Sequence, residues 1–132
     1  MEDFEAKAIC ILGRQPALGL AELESLYGPE HLMALDNAAL LNIDAGDINF
    51  SRLGGTIKVA RLLDILPATA WPEIEKYLLE AVPRHLKSAP GGKFTLGISA
   101  YGLDVTAGMI NRTGMKIKKA AGRPMRVVPN KS

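Results

Sequence analysis

Asp104–Arg126 reads DVTAGMINRTGMKIKKAAGRPMR. Asp104 is the last acid of the chain, and seven bases follow it: Arg112, Lys116, Lys118, Lys119, Arg123, Arg126 and Lys131. Wound at about 100° per residue, Arg112, Lys116, Lys119 and Arg123 fall on one stripe. Thr106, Ile110, Thr113, Ile117 and Ala121 fall on the opposite face. The pattern is a helix with an apolar side to dock on a scaffold and a basic side turned outward. Asp104 is the expected N-cap, Gly122 the close, and Pro124 prevents a restart.

The flanks of this helix read as strands. Lys93–Tyr101 alternates Phe94, Leu96, Ile98 and Ala100 against Thr95, Gly97, Ser99 and Tyr101, and Met125–Val128 is a short apolar run. Upstream, Pro72 suits the first turn of another helix, whose apolar face is Ile74, Leu78, Leu79, Val82 and Leu86. Pro83 lies inside that pattern, where it removes one backbone donor and crowds the carbonyl of Leu79, so a kink is expected. Ala89-Pro90-Gly91-Gly92 breaks the chain, and Pro67–Thr69 is a linker. The second half, residues 67–132, is thus helix–strand–helix–strand. Two strands are few for a sheet, so this unit is expected to be partial, or to complete its sheet with another chain.

The first half, residues 1–66, reads differently. Ala6–Leu12 is a buried strand, and Ala17–Tyr27 places Leu20, Leu23 and Leu26 at helical spacing. Glu22 and Glu24 are expected to favour the helix dipole, and Gly28-Pro29 ends the helix. Two short apolar runs around Asp36-Asn37 signal a hairpin. A helical turn over Asp47–Leu53 and a strand after Gly54-Gly55 follow. The order is β-α-β-β-α-β, which predicts an α+β, ferredoxin-like sandwich.

At 132 residues, 48% of them hydrophobic, the chain makes one domain or two very small ones with a packed core. The net charge of +2 hides an asymmetry. Residues 1–66 carry five Lys/Arg against ten Asp/Glu, a net of −5, whereas residues 67–132 carry eleven against four, a net of +7. Such a split points to two units with different tasks, the second facing a polyanion. The single cysteine, Cys10, lies in the apolar run AICIL and is expected to be a buried free thiol. His31, His85 and Cys10 have no metal-ligand spacing. MEDFEAK lacks a signal pattern and no apolar run approaches about 18 residues, so the expectation is a cytoplasmic protein with no membrane partner.

No catalytic constellation is visible: neither a nucleotide fingerprint nor a nucleophile motif is present. Asp44 and Asp47 beside Gly46 read as solvated turn residues. The basic helix is the strong feature. Neutralising a phosphate backbone needs several bases on one surface. Beyond Tyr77 the only aromatics are Phe94 and Tyr101, too few for binding single strands by base stacking. Folded RNA, recognised by phosphates and shape, fits better. The candidate RNA-binding residues are Arg112, Lys116, Lys119, Arg123 and Arg126, with Lys93 and Lys131 extending the surface.

Four stretches in order carry a resemblance: ILGRQPALGLAELESL at Ile11–Leu26, LGGTIKVARLL at Leu53–Leu63, KFTLGISAYG at Lys93–Gly102, and MKIKKAAGRPMRVVPNKS at Met115–Ser132. Together they resemble the N-terminal region of the THUMP-containing RNA methyltransferases, in the tRNA guanosine N2-methyltransferase branch. The resemblance implies a ferredoxin-like domain followed by a partial THUMP domain that binds the tRNA acceptor region. It also implies an S-adenosylmethionine-dependent catalytic domain beyond the residues given, since no Asn/Asp-Pro-Pro-aromatic motif is present. No cofactor site is therefore expected in this chain. Gly19 departs from the pattern, standing where a helix-capping Ser is expected. The alternative from another class is a ferredoxin-like regulatory or protein-interaction domain, a homo-oligomer joined through its acidic and basic halves.

Overall fold

The computed structural model describes residues 4–89 and 91–130. The chain divides into two compact units, Met1–Ile65 and Leu66–Ser132. Both mix helix and strand, so the fold class is α+β, as the hydrophobic periodicities imply.

The first unit is a four-stranded sheet with one helix. Its strands are β1 (Ala8–Leu12), β2 (Leu32–Ala34), β3 (Ala38–Leu41) and β4 (Thr56–Arg61), in the order β2-β3-β1-β4 with every pair antiparallel. The period-2 pattern of β1 turns Ala8, Cys10 and Leu12 into the core. Register follows from that side: Cys10 pairs with Ala39 and Val59, and Ala8 with Leu41. Helix α1 (Pro16–Tyr27) covers this face with Leu23, Leu20 and Tyr27. Leu23 and Leu41 are fully buried, and each contributes about 1.5–3 kcal/mol by leaving water. Cys10 is buried too, and burial pushes its thiol up to about 11.

Where the β-α-β-β-α-β order has its second helix, the chain makes two 3₁₀ turns, Ala45–Asp47 and Phe50–Arg52. Asp44, Gly46, Asp47 and Asn49 favour turns over a continuous helix, and Asp44 caps the first turn by accepting from the Gly46 amide at 3.4 Å. Ile48 and Leu53 still drop into the core that α1 seals. The β1–β4 ladder shifts register between Ile11 and Leu12, so that Leu12 pairs with Thr56 and Ile57 is left exposed.

Glu22 and Glu24 do not lie in the first turn of α1, which contains no acid. Glu22 instead accepts from the amides of Gly55 at 3.0 Å and Gly54 at 3.1 Å. It pins the turn before β4 to the helix. Gly19 has a packing reason rather than a capping one: a Cβ there would lie 2.5 Å from the Gly55 carbonyl oxygen.

The second unit contains α2 (Trp71–Leu86), β5 (Phe94–Gly97), α3 (Ala107–Ala121) and β6 (Met125–Val128). Helix α2 continues through Pro83 to Leu86. Strands β5 and β6 are parallel, Phe94 opposite Met125 and Leu96 opposite Val127, with α3 as the crossover between them. Leu86, Ile117 and Met125 form the buried centre, joined by Leu78, Leu79, Val82, Phe94, Leu96 and Val127. Strand β5 is shorter than the Lys93–Tyr101 alternation suggests. Past Gly97 the chain finds no strand partner among the described residues, and the Asn130 side chain takes over by donating to the Ile98 carbonyl at 3.0 Å. Asn111 of α3 holds the same Asn130 through its backbone, accepting from its amide at 2.7 Å and donating to its carbonyl at 3.3 Å. Among the described residues, no helix is long and apolar enough to cross a membrane.

Candidate nucleic-acid interface

Helix α3 begins two residues later than the sequence suggests. Thr106, not Asp104, is the N-cap: its hydroxyl accepts from the Met109 amide at 3.1 Å. Both residues are good caps, and only the one in register with Met109 can serve. Gly122 closes the helix in the left-handed region at φ 65°, a conformation that favours glycine. Ile110, Thr113, Gly114 and Ile117 are buried, at the spacing that the apolar side of the helix requires.

The opposite side presents Arg112, Met115, Lys116, Lys118 and Lys119 to solvent. Asn111, Arg112, Met115, Lys116 and Lys119 line a shallow depression of about 390 Å³. Three of the candidate phosphate ligands, Arg112, Lys116 and Lys119, therefore share one surface with an apolar floor at Met115.

The other candidates lie elsewhere. Arg123 is half-buried and reaches back into its own unit. It donates from Nη1 to the Leu86 carbonyl at 3.1 Å and from Nη2 to the Gly92 carbonyl at 2.8 Å, with its guanidinium 5.9 Å from the Phe94 ring centre. It ties the end of α2 to the turn before β5. Arg126 is exposed on β6, opposite Thr95. Because its neighbours Met125 and Val127 face the core with α3, strand alternation puts Arg126 on the other side of the sheet. Lys93 is exposed just before β5. Lys131 lies outside the described residues.

Sequence reasoning missed an acid that belongs to the basic face. Trp71 and Glu75, four residues apart on α2, face Thr113 and Lys116, three apart on α3. The buried Trp71 Nε1 donates to Thr113 Oγ1 at 3.0 Å, and the Thr113 hydroxyl donates to Glu75 Oε2. Lys116 Nζ meets the other carboxylate oxygen, Oε1, at 2.9 Å. The Thr113 and Lys116 bonds, with the positive fields of Lys116 and Arg112, hold the Glu75 carboxyl below its ordinary value. The signal available was Trp71 and Glu75 at helical spacing, but their partners lie about forty residues on, a separation that periodicity does not span.

Chemically, the arrangement is an exposed basic stripe, Arg112, Lys116 and Lys119, with one carboxylate, Glu75, set against its middle member. Comparison with protein-family models, curated proteins and solved structures finds no match to this chain.

Proposed function

We propose that this chain is an RNA-binding module whose α3 face contacts the phosphates of a folded RNA such as tRNA. One observation carries the reading: Arg112, Lys116 and Lys119 lie exposed along one stripe of a helix whose opposite side is fully committed to the core. A polyanion with regularly spaced charges suits such a stripe. The scarcity of aromatics there favours phosphate contacts over base stacking. Arg126 and Lys93 lie on other surfaces of the unit and are not counted among these contacts, and Arg123 acts as a brace within the unit.

The ferredoxin-like reading of the first unit is supported by its strand order, since an antiparallel β2-β3-β1-β4 sheet is the order of that sandwich. The two 3₁₀ turns then stand for the second helix. The crossover from β5 through α3 to β6 agrees with a partial THUMP-like unit. On this reading methyl transfer, with S-adenosylmethionine, belongs to a domain outside the residues given, and this chain supplies RNA affinity.

The test is binding of transcribed tRNA as a function of salt. With three phosphate contacts the log–log slope is expected at roughly −2 to −3. Arg112→Glu with Lys119→Glu, both at exposed positions, should leave folding intact and weaken binding on the order of tenfold or more at low salt. Unchanged affinity in that double variant overturns the proposal.

A further inference from the structure

Lys116 is not simply an exposed base. Its ammonium lies 2.9 Å from Glu75 Oε1, so the anion nearest the basic stripe is the protein's own carboxylate. The two partners differ in freedom. The Glu75 side chain is 20% exposed and that of Lys116 56%. Glu75 is also anchored behind, because Oε2 accepts from the buried Thr113 hydroxyl, which in turn accepts from Trp71. Withdrawing Glu75 would leave a buried hydroxyl without its acceptor. Lys116, the more exposed of the two, has no such tether among the described residues.

We propose that the Glu75 carboxylate is a built-in competitor for the RNA phosphate, holding Lys116 in the free protein and yielding it on binding. This rests on α3 being the RNA-contacting face. A phosphate arriving at Arg112 and Lys119 meets a stripe whose middle charge is already neutralised. To recruit Lys116 it must outbid a carboxylate that stays in place and repels it. A polyanion gripping Arg112 and Lys119 together does so, whereas an isolated phosphate does not. Glu75 thereby sets how strong an anion the site accepts.

The experiment measures tRNA binding by the full chain against salt for wild type, Glu75→Gln, Lys116→Ala and the double variant. The Gln side chain keeps an oxygen to accept from Thr113 and loses the charge. Glu75→Gln is expected to bind three- to tenfold more tightly at 150 mM salt, with the log–log slope of wild type, since Lys116 reaches the phosphates in both complexes and only the competition is removed. The gain should vanish in the Lys116→Ala background. If Gln is not tolerated in the fold, Glu75→Asp, which shortens the reach to Lys116, must tighten binding in the same way. Tighter binding that persists without Lys116, or no tightening while wild type binds, overturns the competitor role alone. Absence of tRNA binding by wild type and Glu75→Gln even at low salt overturns the RNA reading and this proposal with it.

Discussion

Gly19 of α1 and Gly55 before β4 meet backbone to backbone. A Cβ on Gly19 would sit 2.5 Å from the Gly55 carbonyl oxygen, and one on Gly55 would sit 2.5 Å from the Gly19 Cα. Both obstacles are main chain, which has no rotamer to yield. In an isolated helix Gly→Ala gains about 1 kcal/mol. Here the sign reverses: Gly19→Ala is expected to cost about 1–3 kcal/mol through overpacking, read as a lower urea midpoint. A stabilised variant would refute the close approach.

Glu22 fastens that same junction. Its bonds from the Gly55 and Gly54 amides hold its carboxyl below the ordinary 4.5. The unfolded chain therefore binds the proton more readily, so the stabilisation is present above about pH 5 and lost as pH falls through the folded-state value. Glu75, lowered by Thr113 and Lys116, acts in the same direction. Glu22→Gln should lower stability at pH 7 and flatten its decline below pH 4.5 relative to wild type. Urea unfolding at several pH values gives both readings. An acid limb as steep as that of wild type counts against this role.

Thr56 is 4% exposed and its hydroxyl lacks a hydrogen-bond partner. It sits opposite Leu12 at the register shift, facing the core side of the sheet. Valine keeps the branched shape that strands favour and deletes the orphan oxygen. Thr56→Val is expected to stabilise the protein by about 1 kcal/mol, visible as a higher thermal midpoint. A loss instead would mean the hydroxyl has a partner in solution.

Thr113 links Trp71 to Glu75, so Thr113→Val leaves the indole N–H and one oxygen of the Glu75 carboxylate, Oε2, without this partner, while Oε1 keeps Lys116. The expected cost is about 1–3 kcal/mol. Trp71 is the chain's only tryptophan, so its fluorescence follows this environment without further labels. An unchanged emission maximum and midpoint would remove the network from the account of how α2 and α3 hold together.

Arg123 and Arg112 belong to one sequence stripe yet should behave oppositely. Arg123→Ala frees the Leu86 and Gly92 carbonyls and is expected to destabilise the unit by about 1–2 kcal/mol. Lys should rescue it poorly, since it has no planar fork to span two acceptors. Arg112→Ala should leave thermal stability within about 0.5 kcal/mol.

The contrast between those two arginines marks what was legible. Elements with strong patterns were readable: β1 as a continuous apolar run, and α3 by the helical spacing of Ile110, Thr113 and Ile117, which are buried. The α+β class followed from their order. What the pattern left dark was decided by encounters between residues distant in sequence. Arg123 fits the helical stripe, but Gly122 ends the helix one residue earlier and the chain turns it inward. Glu22 looked like a dipole partner because only its own helix was visible, while the amides it serves lie more than thirty residues away. Asp104 and Thr106 are both good caps, and composition alone does not choose between them. Gly19 looked like a missing cap because the backbone it touches belongs to the turn before β4.

Cys10 gives the molecule a clock. With its sulfur sealed inside the sheet and its ionisation pushed up to about 11, the thiol is almost wholly un-ionised at neutral pH, and thiol reagents attack the thiolate. Labelling then waits on opening of the first unit, and at high reagent concentration, where reaction outpaces reclosing, its rate becomes the opening rate. The one thiol in the first unit and the one indole in the second let each half of the chain be timed by its own chemistry.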